Sequence, residues 1–200
     1  MNTLDRIQAI ADLTLALGEV NRATQHPDGR AETDTTHTVM LSLIAADLAP
    51  DEGVEVADAV LFALVHDLAE AYAGDTNTAR ALNPEQAQAK AEREAAALAR
   101  IRKDLAASPW IAAAIDAYER QEDPACRFVR YLDKIMPKLT HRRNGCAAVK
   151  ALGMTLDGVR EQHSNQGQAL RRQYPEFPTL DALFWSACMA CEIAYVERAQ

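Results

Sequence analysis

Apolar residues in this chain recur at spacings of three and four and almost nowhere at two. That regularity excludes a fold built on sheets, because a helix returns to one face about every 3.6 residues whereas a strand alternates faces. Leu4, Ile7, Leu13, Leu17 and Val20 fall at helical spacing over residues 3–21. His37, Met40, Leu41, Ile44 and Leu48 form a second stripe, on a helix expected to start near Asp34 to Thr36. A third helix is expected from about Val54 to Tyr72, stopping at Gly74. Residues 84–106, rich in Ala, Glu, Lys and Arg, suit a solvated helix, and Pro109 and Pro124 suit the first turns of two more. Residues 154–172 and an apolar 179–198 add the last helices, while "RATQHPDGRAETD" reads as a polar loop. The chain therefore reads as all-α: one helical domain over residues 1–200, with a core of about 15–140 and a helical extension of about 150–200.

The charge balance narrows the partners. Twenty-one Lys and Arg against 29 Asp and Glu give −8, which argues against stable binding to nucleic acid or to an anionic membrane. It leaves room for a small phosphorylated substrate held by a metal and a few basic side chains. No run of about eighteen uninterrupted apolar residues is present, so no membrane span is expected. The opening "MNTLDRIQAIADLTLALG" mixes charges into its apolar pattern and does not resemble a signal peptide. With four cysteines and no such signal, reduced thiols in a cytoplasm are expected. Cys188 and Cys191 form a C-x-x-C inside a helical pattern and read as two small core residues.

One apolar stretch is out of character. "LVHDLAEAYAGD" (64–75) carries His66, Asp67, Glu70 and Asp75 within a helix that should be buried. Buried ionisable groups must be neutralised, paired or metallated. "RAETDTTHT" (30–38) adds His37, and "RFVRYLDKI" (127–135) adds Asp133, each beside an apolar stripe. If His37, His66, Asp67 and Asp133 converge, two imidazoles and two carboxylates suit one divalent ion such as Mn, Co, Zn, Ni or Fe, with positions left for water. Such an ion acidifies water and polarises a phosphoryl oxygen. The alternative is a buried His–Asp pair that only specifies the core. Pro137 lacks the amide that would bond the carbonyl of residue 133, so the helix bearing Asp133 should kink or end there.

Three blocks carry a resemblance. "R-x-E-T-x-x-x-H-T" at 30–38, "H-D-x-A-E-x-x-x-G-D" at 66–75 and "Y-E-R-Q-E-D-P-x-x-R-F-V-R-Y-L-D-K" at 118–134 follow in order. Over roughly residues 15–140 the chain resembles the HD-domain metal-dependent phosphohydrolases, most of all the group with bacterial 5′-deoxynucleotidases of the YfbR type. The resemblance implies that His37, His66, Asp67 and Asp133 are metal ligands, that Glu70 is the catalytic carboxylate, and that Asp75 is an acid near the sugar and the attacking water. It implies that Arg22 meets the phosphate. Lys134 and Lys138, in "KIMPKLTHRR", are further candidates for phosphate contact, against a plain role at a solvated helix end. Bland readings stand beside these: a salt bridge for Glu70, a cap for Asp75, a helix-dipole contact for Arg22. The chain departs from the family at Ala23, where an aromatic is usual, at Thr36, often acidic, and in "TNTAR" after Asp75, where a proline-containing loop is usual. The implied activity is hydrolysis of deoxynucleoside monophosphates by a metal-activated water. The alternatives are release of triphosphate from deoxynucleoside triphosphates at the same centre, and a non-catalytic nucleotide-binding module. A homo-oligomer, dimer or higher, fits the apolar surface expected of the C-terminal helix.

Overall fold

Caps and prolines set where the helices begin. In the computed structural model, which describes residues 2–76 and 83–197, α1 (Thr3–Gly18) opens with a capping box in which Asn2 and Asp5 each accept the other's amide. After a short hairpin, α2 (Asp34–Leu48) starts from Thr33, whose hydroxyl accepts the Thr36 amide at 3.2 Å. A 3-10 turn (Ala49–Glu52) leads to α3 (Val56–Val65), and the single-turn α4 (Glu70–Ala73) follows. The helices α5 (Pro84–Asp104), α6 (Pro109–Arg120) and α7 (Pro124–Asn144) each start at a proline, which has no amide to leave unpaired. Then come α8 (Ala147–Ala151), α9 (Leu156–Gln173) and α10 (Pro178–Glu197).

The all-α expectation holds, with two local corrections. The stretch expected as a polar loop contains an antiparallel hairpin, β1 (Asn21–Gln25) against β2 (Ala31–Thr33). Its inward residues are Thr24 and Glu32 rather than apolar ones, so no alternation of hydropathy announces it. The third helix does not run unbroken to Tyr72. It stops at Val65, and residues 66–69 are held by tighter turns, with the Glu70 amide donating to Asp67 O at 2.8 Å and the Leu68 amide to Val65 O at 3.2 Å. The helix α7 continues through Pro137 rather than ending there. Of the loop after Asp75, residues 77–82 lie outside the described residues.

The helix α7 is the axis of the molecule. Phe128, Val129, Tyr131, Leu132, Ile135 and Met136 are all fully buried, each contributing about 1.5–3 kcal/mol by its removal from water. They belong to one apolar cluster that takes in Leu13 of α1, Leu41 of α2, Phe62 of α3, Ile115 of α6, Leu170 of α9 and Phe184 of α10. Among the described residues, α10 is the one helix long and apolar enough to cross a membrane, with a mean hydropathy of 1.2. Here its Leu180, Phe184, Cys188 and Cys191 pack into the bundle. The C-x-x-C pair is thus buried, as expected, and Cys191 Sγ lies 3.2 Å from Cys146 Sγ.

The seam between α9 and α10 closes at Gly167, where an added Cβ would collide with the Trp185 ring and lie 2.9 Å from Phe184 Cε1. Gly167→Ala should therefore destabilise the protein by roughly 1–3 kcal/mol through overpacking, outweighing about 1 kcal/mol of better helix propensity. Chemical denaturation measures it; a more stable variant would contradict the packing.

Candidate metal centre

Each of the four expected ligands reaches the centre from a different local device. His37 sits in the first turn of α2, four residues past its Thr33 cap. His66 terminates α3, and its Nδ1–H donates to the Ala63 carbonyl at 2.7 Å, satisfying a carbonyl left over at the helix end. Asp67 lies in the tight turn that follows, and Asp133 is buried in the middle of α7. Donor atoms of all four lie within 4.8 Å of one another. The break after Val65 is what turns His66 and Asp67 together toward α2 and α7.

The detail fits a cation. With Nδ1 occupied, His66 presents Nε2, buried, 2.9 Å from Asp67 Oδ2 and 4.0 Å from Asp133 Oδ1, yet in hydrogen-bonding geometry with neither. A nitrogen lone pair and carboxylate oxygens facing a common point are the arrangement that a divalent ion completes. His37 Nε2 lies 3.0 Å from Asp133 Oδ1, and its Nδ1 lies 3.4 Å from Glu32 Oε1. Burial works against a charged His37, but the Asp133 and Glu32 carboxylates overcome it and raise its pKa to about 9. Asp133 and Asp67 are both held low despite burial, Asp133 by Lys134 and His37, Asp67 by His66 and Arg22.

Around these four lie the other expected residues. Arg22 of β1 donates through Nη1 to Asp34 Oδ1 at 2.8 Å and to Asp67 Oδ2 at 2.9 Å. It is a hairpin residue bridging two acids, not a helix end stabilised by a dipole. Glu70 makes no salt bridge among the described residues; burial, then Asp67, Asp34 and Asp75, push its pKa up to about 10, with its proton shared toward Asp34. Asp75 is also raised, first by burial, and accepts from the Ala23 amide. Lys134 Nζ donates to Asp133 at 2.7 Å. Lys138 donates to the Lys134 carbonyl at 2.9 Å and to Gln166. Two cavities flank the centre and share Arg22, Asp75, Asp133 and Lys134. One, of about 250 Å³, contains His66, Asp67 and Glu70 over a wall made by Tyr118; the other, of about 170 Å³, runs between α7 and α9.

Sequence reasoning overlooked two residues of the 30–38 block. Glu32 is 1% exposed, and although burial opposes its charge, His37, Thr24 and Thr140 hold its pKa down at about 2. Asp34, at the expected start of the second helix, is fully buried against Arg22, while Thr33 caps the helix. The signal was an acidic residue next to a threonine cap, which looks like ordinary capping chemistry. His163 of α9 meets Glu192 of α10 at 2.9 Å and is not among the converging ligands.

The HD domain family matches residues 16–175 of the chain. By shape the chain is similar to the crystal structure of a protein from Magnetospirillum magnetotacticum MS-1, described as a predicted metal-dependent phosphohydrolase. The TM-score is 0.69 at 24% identity, covering 95% of this chain and 97% of that one. A comparison with curated proteins finds no match.

Metal uptake must displace the His37 proton. Because that pKa is raised above its ordinary 6.5, the proton's stabilisation of the metal-free protein is present below about 6.5 and lost as pH rises through about 9. Affinity for Mn²⁺ or Co²⁺ should accordingly rise by roughly tenfold per pH unit between those values. Glu32→Gln should lower affinity roughly 10- to 100-fold by removing the carboxylate that faces His37. Calorimetric titration across pH measures both, and a pH-independent affinity would contradict the proton held on His37. With one buried, converging His/Asp set on a helical bundle and a family match across most of its length, the chain belongs to the HD domain family.

Proposed function

We propose that the protein is a metal-dependent phosphohydrolase acting on deoxynucleotides, with deoxynucleoside 5′-monophosphates as its substrates. The observation that carries this is the orphaned His66 Nε2 facing Asp67 and Asp133, with Glu70 on the same cavity. His37, His66, Asp67 and Asp133 would hold one divalent ion, which when bound supplies an activated water and a Lewis acid for a phosphoryl oxygen. Membership of the HD domain family, and the fold shared with the predicted phosphohydrolase from Magnetospirillum, support this class of chemistry.

The chain's own groups divide the remaining work. Nη1 of Arg22 is committed to Asp34 and Asp67, which fixes the guanidinium and leaves Nε and Nη2 as donors to the phosphate. Attack forms a new P–O bond, breaks the bond from phosphorus to the 5′ oxygen, and requires that oxygen to gain a proton. Glu70, on the same cavity as His66 and Asp67 and outside the four-ligand set, is the proton donor to that oxygen, and a carboxylate of the same cluster takes the proton from water. Asp75, which borders both cavities, accepts from a sugar hydroxyl. Lys134 neutralises Asp133 and borders the path of the phosphate. Monophosphates are favoured over triphosphates because Arg22 and Lys134 are already paired with acids, leaving little positive charge for two further phosphates.

Matched panels of deoxynucleoside mono- and triphosphates, incubated with Mn²⁺ or Co²⁺, test the proposal. Orthophosphate should appear from monophosphates, and Glu70→Gln should lower kcat by roughly 10²- to 10⁴-fold with metal still bound. Triphosphate released from the triphosphates would overturn the substrate assignment. No product with metal bound would leave a nucleotide-binding module.

A further inference from the structure

The cavity between α7 and α9 shares one end, Arg22, Asp75, Asp133 and Lys134, with the metal centre, and the rest of its lining has no role in holding a metal or cutting a phosphate ester. Val149, Met154 and Val159 supply apolar surface, while Lys138, His141 and Gln166 supply polar edges. Lys138 is the unusual member. It is 7% exposed, sits with Nζ 5.1 Å from the centroid of the Phe184 ring, and has no carboxylate partner among the described residues. Two of its three donors go to the Lys134 carbonyl and to Gln166 Oε1, which leaves one for a ligand. The Gln166 amide nitrogen brings two more donors to the same edge.

A chain of phosphates does not suit this space. Lys134 is bonded to Asp133, and Arg22 to Asp34 and Asp67. Burial and the neighbouring Lys138 hold His141 neutral, pushing its pKa down to about 4. Asp75 and Asp133 border the cavity and would repel further anions. A flat ring with acceptors along one edge suits the apolar surface of Val149, Met154 and Val159 and the donors of Lys138 and Gln166.

We propose that this cavity takes the nucleobase of the substrate and that Lys138, backed by Gln166, selects bases presenting a carbonyl oxygen. Thymine O4 and guanine O6 are acceptors, whereas cytosine and adenine place an amino group at the equivalent position. An ammonium facing an amino group leaves both unpaired, and a site built around a buried polar group discriminates strongly for that reason. The inference rests on the nucleotidase proposal and adds its base preference.

The test compares kcat/KM of the metal-loaded enzyme on dTMP, dGMP, dAMP and dCMP, in wild type, Lys138→Met and Gln166→Leu. Wild type should favour dTMP and dGMP by roughly tenfold or more, as expected for one charged hydrogen bond. Lys138→Met should bring the four substrates to within about threefold, and Gln166→Leu should move them part of the way. Equal wild-type rates, or a preference that survives in Lys138→Met, would overturn the proposal. So would a Lys138→Met defect confined to triphosphates, since that would make Lys138 a phosphate contact. If Lys138→Met does not fold, as judged by circular dichroism, the wild-type preference and Gln166→Leu decide. A wild-type enzyme inactive on all four would count against the nucleotidase proposal instead. Calorimetric binding of thymidine against deoxyadenosine to the metal-loaded protein then tests the pocket alone, and tighter thymidine binding would support it.

Discussion

A carboxylate in the middle of a buried helix is the constraint on which the rest of this molecule turns. Asp133 interrupts the apolar run of α7, flanked by Leu132 and by Ile135 and Met136, and every one of those neighbours is wholly inside. An unpaired charge there would cost several kcal/mol. It is tolerated because α2 delivers His37, the turn after α3 delivers His66, and Lys134 folds back onto it. The packing of α2 and α3 against α7 and the composition of the polar centre are therefore one problem with one solution. Moving either helix by a turn would leave a buried ion without partners.

The acids outnumber the bases even after that pairing. Glu32, Asp34, Asp67, Glu70, Asp75 and Asp133 surround Arg22, Lys134 and a protonated His37. The cluster relieves the excess in two ways, by keeping a proton on Glu70 and by placing Arg22 between Asp34 and Asp67. A divalent cation relieves it further and removes the need for the His37 proton. The same excess is the ground for proposing monophosphates over triphosphates as substrates and a neutral ring as the occupant of the second cavity.

Much of this was legible in the sequence. Period-3.6 stripes located α1 and α2 to within a few residues, composition did the same for α5 and α10, and Pro109 and Pro124 marked two helix starts. His37, His66, Asp67 and Asp133 stood out because ionisable residues on apolar stripes break a pattern. The hairpin did not, since Thr24 and Glu32 point inward and leave no alternating hydropathy. Nor did the break after Val65: "ALVHDLAEAY" has no glycine or proline to announce the tight turn that brings His66 and Asp67 toward α2 and α7. Glu32 and Asp34 were hidden for a related reason. Short polar residues at a helix start ordinarily cap, and only the fold shows that these two face inward. Lys138 was visible as part of a basic cluster, but its burial against Phe184 depends on how α9 and α10 close over α7.

The most direct measurement is anomalous diffraction from crystals grown with Mn²⁺ or Co²⁺, recorded at the absorption edge of the metal. A single strong peak bounded by His37, His66, Asp67 and Asp133, with both imidazoles presenting Nε2, is the result expected. A peak confined to Asp34, Asp67 and Glu70, whose carboxylates also converge, or located away from both sets, would contradict the proposed ligand assignment on which the chemistry is built.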